Sequence, residues 1–226
     1  MKPEVIVHNT VSLDGKVAGF EVDMALHYEV AGAFGAEATL IGSGTARAGL
    51  EMFGPGAAAD QAGTDAPPID PADPRPVWVL VDSRGLMVDQ LHVLWASGYC
   101  RGVVVGITES TPPRYVDYLR RRGVEHHVLG KDRVDLRGLL MLLGERHGVR
   151  RVLVDSGPTL VGALIGLELV DRVSLIVAAK LLAGSSPSIF SKLEQPCSLE
   201  LEKSAELRGA GVHLVYRFLG PRPSQT

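Results

Sequence analysis

The stretch of sequence that decides the fold is Val152-Leu153-Val154-Asp155-Ser156-Gly157-Pro158-Thr159-Leu160-Val161-Gly162-Ala163-Leu164. It predicts a buried strand, a tight turn and a helix, because a short apolar run is broken by Gly157 and Pro158. Gly157 permits unusual backbone dihedrals and close approach of a ligand, and Pro158 suits a first helical turn. Free N–H groups at a helix start bind phosphate well. The junction therefore indicates either a phosphate-bearing ligand or plain strand-to-helix architecture.

The composition is that of a globular protein. The chain has 226 residues, of which 46% are hydrophobic and 22% charged, and its formal net charge is -3. This balance disfavours nucleic acid as a partner. The two cysteines, Cys100 and Cys197, form no C-x-x-C pair, so neither a disulfide scaffold nor a zinc site is predicted. Neither a signal peptide nor a membrane-spanning run stands out, and the cytoplasm is the predicted location.

Strands alternate with helices along most of the chain. The predicted strands cover 5–11, 38–42, 77–81, 103–107, 124–129, 152–154 and 172–178, and the predicted helices cover 23–34, 113–122, 136–147 and 159–167. This alternation predicts an α/β fold with a mostly parallel central sheet flanked by helices. Strands at 199–204 and 212–219 predict a C-terminal antiparallel hairpin. Residues 54–76 predict a flexible surface loop within a single domain spanning 1–226.

Small and polar residues follow several predicted strands. These clusters are Gly42-Ser43-Gly44-Thr45, Asp82-Ser83-Arg84, Thr108-Glu109-Ser110 and the Asp155–Thr159 junction. Ligands of open α/β sheets lie outside the carboxyl ends of strands, and four clusters fit an extended ligand such as a dinucleotide. Gly42-Ser43-Gly44 lacks the third glycine of the dinucleotide fingerprint, so a plain turn is the alternative there.

Several single residues allow either a functional or a purely structural interpretation. Arg84 beside Ser83 suits a ribose 2′-phosphate, or it is a solvated surface arginine. Asp14 is interpreted most simply as a turn residue. Asp155 either accepts hydrogen bonds from ligand amino groups or caps the following helix. His8, inside an apolar strand, is interpreted as a satisfied core residue.

No metal centre and no hydrolase site are predicted. His126 and His127 lack a companion cluster of ligands. No Ser-His-Asp arrangement stands out, and Ser43 lacks the full nucleophile-elbow pattern.

Five motifs then follow one another in order. They are Ser12-Leu13-Asp14-Gly15-Lys16, Gly42-Ser43-Gly44-Thr45, the strand 76–83, the run 157–163, and Leu169-Val170-Asp171-Arg172-Val173 with Leu181-Leu182-Ala183-Gly184. Together they resemble the reductase domain of riboflavin biosynthesis, a relative of dihydrofolate reductase. The corresponding family segments read S-L-D-G-K/R, G-x-G/S-T, P-V-R-I-V-V-D-S, G-P-T-L-x-G-A, and L-V-D-E followed by L-L-G. Their order and spacing cover nearly the whole chain.

The resemblance implies a dihydrofolate-reductase-like fold and an NADPH-dependent reductase. In that family the ribosyl group of a ribosylaminopyrimidine 5′-phosphate is reduced to ribityl by hydride transfer to C1′. The cofactor supplies the hydride, and the protein mainly orients and polarises the substrate. The resemblance also implies a homodimer.

The matched motif positions assign roles to particular residues. The implied catalytic residues are Asp14 and Asp155, and the implied substrate residues are Asp155 and Asp23. Thr10 would lie near the nicotinamide. The other implied cofactor-binding residues are Thr45, Ser83, Arg84, Gly157, Pro158, Thr159, Leu160, Val161, Gly162 and Ala163.

The chain departs from the family mainly where the substrate is bound. The acid pair that often follows the family's Thr is missing after Thr45, where Arg47 could supply a replacement contact to phosphate. Small residues around Ala33 replace an expected arginine, and Ala178-Ala179-Lys180 stands for A-P-K. Two alternatives therefore stay open, a reductase of a pterin or other heterocycle and a non-catalytic NADP-binding protein.

Overall fold

The computed structural model describes residues 1–53, 65–207, 209 and 211–221. The strands are β1 (Glu4–Ser12), β2 (Ala38–Gly42), β3 (Val77–Val81), β4 (Gly102–Ile107), β5 (Glu125–Val128), β6 (Arg151–Val154), β7 (Arg172–Ala178), β8 (Cys197–Leu207) and β9 (Gly211–Pro221). The helices are α1 (Met24–Gly32), α2 (Ser43–Phe53), α3 (Leu91–Ala96), α4 (Pro113–Arg121), α5 (Leu136–Arg146) and α6 (Pro158–Gly166).

The chain divides into two compact units. The first unit contains Met1–Pro3 and Ala36–Arg150, and the second contains Glu4–Gly35 and the described part of Arg151–Thr226. A single domain over 1–226 stays a prediction.

The first unit contains a parallel sheet in the order β2-β3-β4-β5. Strands β3 and β4 are rich in valine, and β4 is buried along its whole length. Buried strands of this kind need helices on both faces. Helix α4 supplies Tyr115, Tyr118 and Leu119 to the hydrophobic core, where each is at most 1% exposed.

The second unit contains strands in the order β6-β1-β7-β9-β8. Strands β6, β1 and β7 are parallel, whereas β9 runs antiparallel to both β7 and β8. Strand β1 is buried on both faces, and Val5, Ile6 and Val7 have no exposed surface. Helix α6 connects β6 to β7 and packs Val161 and Leu164 into the core. This arrangement confirms the predicted α/β class, the parallel strands and the C-terminal antiparallel hairpin.

Helices α2 and α3 were not predicted from the sequence. Helix α2 begins directly at Ser43, so the Gly42-Ser43-Gly44 segment is a strand-to-helix junction and not an extended turn. Helix α3 spans only six residues, too few for a helical period to stand out. The predicted helix 23–34 is shorter, since Asp23 is the N-cap of α1 and the helix ends at Gly32.

The predicted loop 54–76 is partly described. Residues 54–64 lie outside the described residues, and 65–76 contain neither helix nor strand. This second part is anchored, because the backbone N–H of Ala66 donates to the carbonyl of Arg122. Ile69 also packs so closely on Gly102 that a Cβ there would lie 2.7 Å from Ile69 Cγ1. In the part of the chain that the structure describes, no helix has the length and apolar character to cross a bilayer.

Candidate active site

The second unit brings several predicted site residues to one edge of its sheet. Strands β6, β1 and β7 are parallel neighbours, so their carboxyl ends lie at the same edge. Asp155 follows β6 directly, Thr10 lies near the end of β1, and Lys180 follows β7. This edge is where open α/β sheets bind ligands.

A cavity of about 210 Å³ opens beside this edge. It contains two residues predicted from the family resemblance, Thr10 and Asp23, together with Lys180 of the Ala-Ala-Lys segment. Its complete lining is Thr10, Phe20, Glu21, Val22, Asp23, Leu26, Ile176, Ala178, Ala179, Lys180 and Gly209. The lining therefore combines an apolar wall with two carboxylates, one ammonium group and one hydroxyl.

His27 links the cavity wall to Asp155. Thr10 Oγ1 lies 3.0 Å from His27 Nδ1, and His27 Nε2 lies 3.3 Å from Asp155 Oδ2. A carboxylate only accepts, so Nε2 carries the proton that His27 donates to Asp155. His27 is 4% exposed, and the Asp155 side chain is 22% exposed. The result is a histidine oriented by a carboxylate, with its second nitrogen on a hydroxyl that faces the cavity.

A second buried polar chain lies behind His27. His8 Nε2 is 3.3 Å from the carbonyl of His27, and His8 Nδ1 is 2.9 Å from Ser174 Oγ. Ser174 Oγ is also 2.9 Å from His213 Nε2. Because a carbonyl only accepts, Nε2 of neutral His8 carries the proton and Nδ1 accepts from Ser174; Ser174 in turn accepts from His213.

Burial keeps His8 neutral. Desolvation and the neighbouring His27 lower the pKa of His8 to about 3, although Asp155 opposes the shift. Burial also lowers the pKa of His213. His8 has no exposed surface and two hydrogen-bond partners, as expected of a satisfied core residue.

Asp14 and Asp23 each make local structural contacts. Asp14 Oδ1 accepts from Ser12 Oγ at 2.8 Å, and Asp14 Oδ2 lies 3.0 Å from Lys16 Nζ. These two partners lower the pKa of Asp14 to about 2. Lys16 Nζ also donates to the carbonyl of Leu182 at 2.6 Å, so the Ser-Leu-Asp-Gly-Lys turn is tied to the segment after β7. Asp23 caps α1, accepting from Leu26 N at 3.0 Å, while it lines the cavity.

The start of α6 is the second part of the site in this unit. Gly157 is its N-cap, with φ of -75° and ψ of 178°, and makes no side-chain hydrogen bond to the first turn. These dihedrals are ordinary, so the structure does not use the unusual backbone conformations that glycine permits at this position. Asp155 does not cap α6, because Gly157 holds that position. Leu160, Val161 and Gly162 are buried, whereas Thr159 and Ala163 are exposed.

The first unit carries the other predicted cofactor residues at its own strand ends. Thr45 lies in the first turn of α2, and Ser83 and the exposed Arg84 follow β3. Thr111, after β4, donates from Oγ1 to the carbonyl of Ser83 at 2.9 Å. Strands β2, β3 and β4 are parallel neighbours, and their carboxyl ends therefore place these residues along one edge.

His27 was missed from the sequence. It lies on the buried face of α1 with Ala31, among apolar residues, and no motif marks it. The available signal was physical: a polar ring on the core face of a helix needs partners, and here they are Thr10 and Asp155.

Comparisons with known proteins agree with this architecture. The RibD C-terminal domain profile matches residues 3–214. The chain is 31% identical over 192 residues to the 2,5-diamino-6-ribosylamino-4(3H)-pyrimidinone 5′-phosphate reductase of Methanothermobacter thermautotrophicus, covering 81% of each protein. The protein of the same name from Archaeoglobus fulgidus is 30% identical over 150 residues, covering 66% of each.

A solved structure shares the fold. The pyrimidine reductase-like protein of Corynebacterium diphtheriae has a TM-score of 0.70 at 17% identity, covering 96% of this chain and 92% of that one. These matches confirm the family and the fold class predicted from the sequence, and they support the prediction of an oxidoreductase. The chain belongs to the RibD C-terminal domain family.

Proposed function

We propose that this protein is an NADPH-dependent reductase of riboflavin biosynthesis that converts the ribosyl group of a ribosylaminopyrimidine 5′-phosphate to ribityl. Family membership and the names of the two archaeal relatives support the reaction class. The observation that carries the proposal is the position of Thr10, which both lines the cavity and contacts His27, the partner of Asp155.

The reduction needs a proton as well as a hydride. When hydride adds to C1′, the bond between C1′ and the ring oxygen breaks, and the electron pair of that bond goes to the oxygen. That oxygen takes a proton and becomes a hydroxyl group. Thr10, which lines the cavity, can donate its hydroxyl proton to that oxygen when His27 carries a proton on both ring nitrogens. His27 Nδ1, 3.0 Å from Thr10 Oγ1, then returns a proton to the hydroxyl, and the ring becomes neutral. Asp155 stabilises the histidine whenever it is charged.

The residues present fit NADPH. The N-cap of α6 carries no side chain, and a helix start of this kind binds phosphate through its N–H groups. We propose that Gly157, Pro158 and Thr159 contact the cofactor's phosphates. Thr45, Ser83 and Arg84 are proposed as further cofactor-binding residues, as the family resemblance implies. Arg84 is exposed beside a hydroxyl residue, which suits the ribose 2′-phosphate of NADPH. Bound NADPH would supply the hydride.

The cavity offers matching groups for the substrate. Asp23 and Glu21 can accept hydrogen bonds from the amino groups of the pyrimidine, and Lys180 can attract the 5′-phosphate. Lys180 would thereby replace the helix arginine that the family uses for the substrate phosphate and that this sequence lacks. Asp14 keeps its predicted catalytic assignment as a proposal, although its carboxylate is already engaged by Ser12 and Lys16.

The decisive experiment is a substrate panel with purified protein, following NADPH absorbance. Steady oxidation with 2,5-diamino-6-ribosylaminopyrimidinone 5′-phosphate or its deaminated analogue, with formation of the ribityl product, is the expected result. If dihydrofolate is the one panel member that is reduced, the protein is instead a reductase of pterin-type substrates. NADPH binding without turnover of any member would assign a non-catalytic NADP-binding protein.

We also propose that the protein acts in the cytoplasm as a homodimer, without nucleic acid or membrane as a partner. A cytoplasmic location suits an enzyme that consumes NADPH. The net charge of -3 gives no basis for binding a polyanion.

A further inference from the structure

A cluster of metal-ligating side chains lies in the first unit. Glu125 and His127 are two residues apart on β5, so both side chains point to the same face of the strand. His147 is the C-cap of α5, directly after the last helical residue, Arg146. Glu125 Oε1 lies 2.9 Å from His127 Nε2 and 3.0 Å from His147 Nε2. All three ligand atoms lie within 4.8 Å of one another.

The backbone holds these three residues in place. Strand β5 pairs with β4, with Glu125 opposite Val104 and His127 opposite Gly106. The N–H of His147 donates to the carbonyl of Leu143 at the end of α5. The side chains of His127 and His147 are 14% and 19% exposed. The cluster is therefore a largely preformed site.

One atom of the cluster lacks a good partner. His147 Nε2 is shielded from solvent and makes no hydrogen bond of acceptable geometry within the described residues. Glu125 Oε1 is close enough for an ion pair, yet its direction does not suit a hydrogen bond. A buried polar atom left without a hydrogen bond costs free energy and destabilises the fold. A ligand that bonds to the nitrogen lone pair would remove this cost.

The donor set has the chemistry of a zinc site. Two imidazole nitrogens and one carboxylate oxygen are ligands that Zn²⁺ accepts at about 2.0–2.2 Å. Tetrahedral bonds of that length separate neighbouring ligand atoms by about 3.4 Å. The two observed oxygen-to-nitrogen distances are slightly shorter, so small side-chain rotations are enough to admit the ion.

We propose that Glu125, His127 and His147 bind Zn²⁺, with the fourth position open to water. The sequence analysis predicted no metal site because His126 and His127 lacked a companion cluster. The fold supplies that companion from α5. The ion would tie β5 to the end of α5, and this role is independent of the proposed reduction.

The test uses untagged protein freed of metal with a chelator. Zinc is titrated in competition with a chromophoric indicator, and thermal unfolding is recorded with and without zinc. The variants are His127→Asn, His147→Asn and Glu125→Gln. The matched control is His126→Asn, because His126 neighbours His127 on the opposite face of β5 and its Nδ1 is already 2.8 Å from the Val124 carbonyl.

The expected result is one zinc ion per chain and a zinc-dependent rise in melting temperature. Each ligand variant should lose at least about tenfold in zinc affinity together with the thermal shift, whereas His126→Asn should retain both. Circular dichroism identifies any variant that fails to fold, and Glu125→Gln is the mildest change. The proposal is overturned if the wild type shows no saturable binding, or if the ligand variants bind zinc as well as the control.

Discussion

Asp155 contacts His27, whereas Asp23 lines the cavity, so substitutions can separate the roles proposed for the two carboxylates. We predict that Asp155→Ala lowers kcat by about 10- to 100-fold, because His27 loses the partner that orients it and balances its charge. NADPH affinity should change by less than about threefold. Steady-state kinetics with the ribosylaminopyrimidine phosphate and cofactor titration provide the measurement.

The control for Asp155 is Asp23→Ala. The Asp23 side chain lines the cavity, and the bond from His27 N goes to the Asp23 backbone carbonyl, which the substitution keeps. Loss of the carboxylate should therefore raise KM more than it lowers kcat. An unchanged kcat in Asp155→Ala would assign Asp155 a purely structural role.

Arg84 should distinguish NADPH from NADH. We predict that Arg84→Ala weakens NADPH binding by about 1–3 kcal/mol, the usual worth of a charge-assisted hydrogen bond to phosphate, and leaves NADH binding unchanged. Calorimetry with both cofactors measures this difference. Arg121→Ala removes another exposed arginine of the same unit and is the control. Equal affinities of the wild type for NADPH and NADH would contradict the assignment.

The buried His8 should make folding sensitive to mild acid. Its pKa is about 3 in the folded protein against 6.5 in the unfolded chain, so below pH 6.5 the unfolded state binds a proton that the folded state refuses. The contribution of His8 is therefore fully present above pH 6.5 and is lost as the pH falls toward 3. The loss amounts to about 2 kcal/mol at pH 5.

Urea unfolding at pH 7.5 and pH 5 measures this effect. His8→Asn should be less stable at pH 7.5 but should lose less stability between the two pH values. An identical pH dependence in both proteins would show that other groups, such as His213, carry the proton linkage.

At the scale of elements, the turn after β3 requires glycine at position 85. Gly85 has a φ of +67°, and a Cβ there would lie 2.8 Å from Tyr115 Cβ on α4. We predict that Gly85→Ala destabilises the protein by about 2–5 kcal/mol, since backbone strain and overpacking add together. The measurement is the free energy of unfolding in urea.

Gly98 offers a matched control for Gly85. Its φ is +80°, but within the described residues nothing lies within 4 Å of an added Cβ. Gly98→Ala should therefore cost only the backbone strain, about 1–2 kcal/mol. If the two variants lose the same stability, Tyr115 moves to accommodate the added Cβ, and the contact between them does not contribute to the destabilisation.

The elements that could be predicted from sequence are those with a strong local signal. Strands β3 and β7 have the predicted bounds, because short apolar runs end at polar or small residues. Helices α2 and α3 were missed, since an Ala- and Gly-rich segment and a six-residue helix carry little periodic signal. Thr10 and Asp23 line one cavity, while the roles that the family resemblance implies for them stay predictions. His27 and His147 depend on tertiary contacts, which a linear pattern does not contain.

At the scale of the whole molecule, the hairpin of β8 and β9 leaves apolar side chains in solvent. Among the described strands β8 pairs only with β9. Leu199, Leu201 and Leu219 are 41%, 53% and 54% exposed, whereas Val215 is buried at 6%. The apolar residues of the hairpin thus divide into one set that packs inward and one that remains exposed. Exposed edges of this kind are usually covered by a partner.

We predict that this hairpin joins two copies of the chain with two-fold symmetry, as the family resemblance implies. Light scattering at micromolar concentration should give about twice the chain mass of 24.1 kDa. Leu201→Lys should shift the mass toward the monomer, because each dimer would bury two ammonium groups at the contact. Leu181→Lys is the control, since Leu181 is 75% exposed outside the hairpin. A wild-type mass near that of one chain would contradict the predicted dimer and would show that the exposed leucines of β8 do not mediate self-association.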